Sequence, residues 1–112
     1  MIISITSLRL KSRWGFFRLS WWGLKIGMQA RKSAGFIKMK NTGSGYWHFT
    51  ISAWESIAAP KEFAHSRAHL QAIKAQSEIA SEVRIYSFEN PQWISWDLAK
   101  TLVQEKGRVL KS

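Results

Sequence analysis

Hydrophobic and polar positions along the chain change period several times, and each change marks a new element. From Ile2 to Leu10 the β-branched residues Ile2, Ile3, Ile5 and Thr6 dominate, which predicts a strand. From Trp14 to Arg31 the spacing turns helical: Trp14, Phe17, Trp21, Leu24 and Met28 step by 3, 4, 3 and 4 along one side. Gly35 closes that unit, and Phe36 to Lys40 reads as a second strand. Asn41-Thr42-Gly43-Ser44-Gly45 has the chemistry of a hairpin loop, because Gly and Asn tolerate positive φ. Tyr46 to Trp54 then alternates. Trp47, Phe49, Ile51 and Ala53 share one face, and Tyr46, His48, Thr50, Ser52 and Trp54 share the other. The first set suits a core beneath helices. The second suits a ligand or a second subunit better than open water.

Ser56 is placed to cap a further helix, with Pro60 near the first turn, where its missing N–H costs nothing. Ala59, Phe63, Ser66, Leu70, Ile73 and Ser77 fall in one stripe of that helix, expected to run to about Ala80. Glu82 to Glu89 predicts a fourth strand, broken by Asn90-Pro91. A short helix from Ser95 to Lys106 follows, closed by Gly107 as its C′ residue, and Arg108 to Lys111 returns as a short strand. The order is βαββαβ with a C-terminal helix. It predicts an α+β, ferredoxin-like sandwich in one domain over residues 1–112, with two helices on one sheet face and the other face open. An open face as aromatic as Tyr46/His48/Thr50/Ser52/Trp54 predicts a homodimer built through it.

Composition narrows the classes. With 46% apolar residues, the 112-residue chain is rich enough in core formers to exclude a disordered tail. Without cysteine there are no disulfides, thiolate metal sites or thiol nucleophiles. No apolar run approaches the roughly 18–20 residues of a membrane span, and Arg9, Lys11 and Arg13 follow the short apolar start where a signal peptide would have its cleavage site. A cytoplasmic location is the expectation. Charge is uneven: residues 1–54 hold nine Lys/Arg and no Asp or Glu, within a chain of net charge +10. A one-signed half favours anionic partners, or else is a solvated face that keeps the chain soluble.

Candidate chemistry is sparse. There is no nucleophile elbow, phosphate-binding loop or dinucleotide fingerprint, and the seven acids do not cluster as paired carboxylates. An enzyme of this kind leans on its substrate or on a cofactor, with the protein supplying a dry pocket. His65 and His69 stand four apart, with Glu62 three before His65, an arrangement more often free of metal than not; no metal is expected. His69 lies at the margin of its stripe beside Ser66. It serves there either as a general base toward a ligand or as a structural donor to a backbone carbonyl. Seven tryptophans (14, 21, 22, 47, 54, 93 and 96) allow an oversized aromatic core with dimer contacts, or an aromatic pocket for a planar or polyene ligand. Trp21 and Trp22 among Arg18 and Lys25 allow a third use, contact with a lipid interface.

The run Thr50-Ile51-Ser52-Ala53-Trp54-Glu55-Ser56, followed by Phe63 and then Ser66-Arg67-Ala68-His69, resembles the antibiotic-biosynthesis-monooxygenase-type dimeric α+β barrels. Gly15-Phe16-Phe17-Arg18 and Gly35-Phe36-Ile37-Lys38 are also similar to spheroidene-monooxygenase-like proteins. The resemblance implies a homodimer whose sheets face each other, with a pocket between sheet and helices in each subunit. It implies a monooxygenase-like protein that binds a small hydrophobic, aromatic or polyene ligand, and leaves open whether the chain oxidises it. His69, matching S-x-x-H, becomes the catalytic candidate, and Trp47, Phe49, Trp54, Phe63, Ser66 and Trp21 become the substrate-binding set. Where the heme-degrading branch has its heme-binding His, this chain has Ile73, so the expectation is no cofactor, with heme as the alternative. The competing class is a nucleic-acid- or anion-binding ferredoxin-like module without catalysis. Tyr46-Trp47-His48-Phe49-Thr50 lacks the aromatic signature of RNA-recognition motifs, so nucleic acid is not the expected partner.

Overall fold

Isoleucines on both sides of the pleat make β1 (Ile2–Leu10) the central strand of a five-stranded antiparallel sheet of order β2-β3-β1-β4-β5. The computed structural model describes residues 1–56, 58, 74 and 78–111. The other described elements are α1 (Gly15–Arg31), β2 (Phe36–Ser44), β3 (Trp47–Trp54), β4 (Ala80–Glu89), α2 (Trp96–Lys106) and β5 (Arg108–Lys111). The fold is α+β and ferredoxin-like, as expected. Most of the helix expected between Ser56 and Ala80 lies outside the described residues, with Glu62, Phe63, His65, Ser66, His69 and Ile73. Its end, Glu78 and Ile79, is helical. Among the described residues no helix is long and apolar enough to cross a membrane.

Register decides what each sheet face carries. Ile5 stands between Ile51 and Tyr86, and Ile3 between Ala53 and Phe88. These odd-numbered positions of β1 and β3 pack with Ile94 and with Ala99 and Val103 of α2. The even-numbered positions turn to α1. Leu8, Leu10 and Val83 cluster with Ile79, Ala80 and Leu19, while Trp54 packs with Ala30, Ile26, Phe36 and Met39. Helices therefore lie on both faces, and the face expected to stay open is the one beneath α1. The expected dimer through Tyr46/His48/Thr50/Ser52/Trp54 is thereby corrected. Polar residues on that face satisfy one another. Trp54 Nε1–H donates to Ser52 Oγ (2.9 Å), Thr50 Oγ1–H donates to Asn41 Oδ1 (2.7 Å), and the Ser4 and Ser87 hydroxyls share a bond of 2.8 Å. A hydroxyl with a partner in the sheet is buried at little cost.

Three local details also differ from expectation. β2 runs through the expected hairpin loop to Ser44, and the turn falls at Gly45, where φ is +59°. Gly43 is a strand residue opposite His48, whose ring and backbone neighbour leave no room for a Cβ. At Gly107 the backbone is extended (φ −66°, ψ 139°), not left-handed. A Cβ there would strike the Val103 carbonyl that accepts the Gly107 N–H at 3.0 Å, so close approach selects glycine. Ser95 caps α2 as its sequence suggests, its Oγ accepting from Leu98 N–H at 3.2 Å. Arg18 on α1 reaches Glu78 at 2.8 Å, and that hydrogen bond holds the Glu78 carboxyl below its usual range.

Candidate functional site

The inner side of α1 is built partly of nothing. Gly23 and Gly27 face the sheet region, and at Gly23 a Cβ would meet no atom within 4 Å. Glycine in a helix interior costs about 0.5–1 kcal/mol relative to alanine. Here it leaves a hollow. The resulting cavity, about 520 Å³, lies between α1 and the sheet face made by the even-numbered residues of β1 and β3 with Met39, Asn41 and Gly43 of β2. That volume falls within the roughly 300–1,000 Å³ of small-molecule sites.

Its wall is apolar toward α1 and polar toward β2 and β3. Leu19, Trp22 and Ile26 come from the helix, Leu8 from β1 and Met39 from β2. Asn41, Thr42, His48 and Thr50 gather at the strands, and Arg31 closes the helix end. Lys25, one turn along the helix, sits over the Trp22 ring, 4.9 Å from its centroid. Thr50 engages the Asn41 carbonyl oxygen, which turns the Asn41 amide N–H groups over to any ligand. His48 Nε2–H donates to the Gly45 carbonyl at 3.3 Å, and its ring lies 5.6 Å from that of Phe16. The His48 Nδ1 lies against Gly43. The cavity suits a mostly apolar, planar or extended molecule with one oxygen-bearing end.

The expected site residues scatter. Trp54 is sealed in the core at 2% exposure. Trp47 and Phe49 send their side chains to the opposite face, where the rings stack at 6.3 Å beside Lys100, over Phe49. Phe49 still borders the α1 cavity, and with Trp47, Lys100 and Gln104 it lines a second, more open cavity of about 540 Å³. Trp21 is on the outer side of α1. Phe63, Ser66 and His69 lie outside the described residues. Nor do the seven tryptophans converge: Trp22 alone lines this cavity, and Trp93 and Trp96 pack against the α2 core. Trp22, Asn41, His48 and Arg31 were not expected in the site. For His48 the signal is the parity of β3, which sets His48 and Thr50 on the face opposite Trp47 and Phe49.

No model of a known protein family and no curated protein sequence matches the chain. Solved structures do. A protein of Deinococcus radiodurans, described as a candidate antibiotic biosynthesis monooxygenase, superposes with a TM-score of 0.75 at 18% identity, over 85% of this chain and 97% of its own. A second so described, from Nitrosomonas europaea, gives 0.75 at 9% identity over 82% and 100%. SnoaB of Streptomyces nogalater, a cofactor-independent oxygenase, gives 0.70 at 10% identity over 83% and 95%. The fold is that of the antibiotic biosynthesis monooxygenases. The resemblance carried by Thr50–Ser56 and Ser66–His69 agrees with this, and at such identities the likeness is one of fold. Of the two cavities described, the one beneath α1 is the more enclosed.

Proposed function

We propose that this chain binds a small aromatic, polyene or otherwise hydrophobic molecule in the α1 cavity and oxidises it as a monooxygenase without a cofactor. The observation that carries the reading is the cavity itself, apolar along Leu19, Trp22 and Ile26 and hydrogen-bonding at Asn41 and His48. That a protein of the same fold is a cofactor-independent oxygenase supports the reaction class. In this reading His69, from the S-x-x-H run, takes the proton from an acidic C–H or O–H of the ligand, and the Asn41 amide stabilises the oxyanion left behind. The electron-rich carbanion or phenolate then reduces O₂. For an anthrone, the balanced outcome is anthraquinone and one water per O₂ consumed. Among the described cavity residues His48 is the one imidazole, and with Nε2 given to Gly45 and Nδ1 against Gly43 it is poorly placed to bind iron.

Two measurements test the site. An anthrone titrated under nitrogen should quench tryptophan emission, and Trp22→Ala should remove most of that response. In air, His69→Ala should lower O₂ uptake roughly 10²–10⁴-fold with melting nearly unchanged. Quenching that survives Trp22→Ala would place the ligand elsewhere. Binding without O₂ uptake would reduce the protein to a carrier.

A homodimer remains part of the proposal, moved to the other sheet face. Trp47 and Phe49 stack there on β3 while α2 covers β1 and β4, so the β3 side keeps half-exposed aromatics. Light scattering at micromolar concentration should give twice the 12.9 kDa chain mass, and Trp47→Asp should return it to one. A wild-type chain that scatters as a monomer would remove the dimer.

A further inference from the structure

The stripe whose spacing predicts α1 is not the one that packs. Trp14, Phe17 and Trp21 are 80%, 67% and 61% exposed, and Leu24 and Met28 are exposed with them. At about 100° per residue these five side chains fall within an arc of roughly 80°, while Leu19, Trp22, Ile26 and Ala30 point to the sheet. The helix is apolar on two opposite sides. Trp14 and Phe17 stack on each other at 6.2 Å at the start of this exposed apolar stripe. Solvent is a poor partner for it.

We propose that this outer side of α1 docks on an anionic lipid bilayer. Charge points to that occupant. Residues 1–54 carry no acid, and Lys25 on α1 lies beside the stripe with its ammonium 5.8 Å from the Trp21 ring centroid. Arg31 borders the other edge, and Lys11, Arg13 and Lys32 flank the helix ends. Large aromatic and aliphatic side chains on one face with Lys and Arg at its borders are what an interfacial helix needs: rings at the headgroup boundary, cations among phosphates. A second copy of this chain fits worse, since it would bring Lys25 and Arg31 against their own kind. A nucleic acid would meet the cations but gain little from Leu24 and Met28.

The test is sedimentation of the intact chain with vesicles of phosphatidylcholine containing one part in three phosphatidylglycerol, beside vesicles of phosphatidylcholine alone. Binding is expected on the anionic vesicles, with a blue shift of tryptophan emission, and should weaken as salt rises. The Trp14→Ser/Phe17→Ser/Trp21→Ser variant should lose roughly tenfold or more of that partitioning while its melting temperature holds. Lys25→Glu should weaken binding to the anionic vesicles only. No sedimentation of the wild type, or equal sedimentation of the triple variant, overturns the proposal. So does a triple variant that loses self-association or polyuridylate binding while vesicles never bound the wild type.

Discussion

Trp54→Ala is expected to destabilise the protein by about 3–5 kcal/mol, the range for losing a fully buried large aromatic. Trp54 is almost wholly enclosed, stands edge-to-face with Phe36 at 5.5 Å and 82°, and packs on Ala30 of α1. Its indole N–H also satisfies Ser52, which is itself buried. Alanine would leave a void and an orphaned hydroxyl together. Urea unfolding should show a lower midpoint with an unchanged slope, since the exposed surface on unfolding scarcely alters. Trp54→Phe should recover part of the loss, the remainder reporting the missing Ser52 bond. A cost below about 1 kcal/mol for alanine would mean that α1 is not seated on this face.

The second large effect is expected at Gly43. A side chain there would run into the His48 ring and crowd the Trp47 carbonyl, so Gly43→Ala must push His48 out of place. Overpacking of this kind costs about 1–3 kcal/mol. Because His48 lines the cavity, ligand affinity should fall with stability, by roughly tenfold or more if one hydrogen bond or ring contact is lost. Combining Gly43→Ala with His48→Ala removes the main collision, so the double variant should be more stable than the sum of the singles allows. Additive losses would show that the two residues do not meet.

Much of the architecture is legible without coordinates. β1, from Ile2 to Leu10, and β5, from Arg108 to Lys111, have the expected bounds, and α1, β3 and α2 differ by a residue at one end. Those elements have strong period, and α2 has a capping serine. At the end of β2 the sequence is ambiguous, because Asn41 and Gly43 permit a turn without requiring one; Gly43 is there for the ring of His48. The site was harder to read because both sides of α1, and both faces of β3, carry large apolar residues. Periodicity then identifies the element but not which side is covered. That choice belongs to partners far away in sequence: Ala99 and Val103 take the odd face of β1 and β3, and Ile26 and Ala30 the even one.

The central position of β1 has a consequence for the order of events in folding. Its two neighbours are β3 and β4, so Ile2 must meet Trp54 on one side and Glu89 on the other. β1 precedes both of its partners in the chain, and its second edge stays unpaired until β4 has been made. Until β4 exists, β1 and β3 form a ribbon with an unpaired edge, and closing the longer loop costs chain entropy before any contact repays it. A nascent chain therefore carries Ile3, Ile5 and Leu8 uncovered through most of its synthesis, a window in which pairing with another chain competes with its own completion.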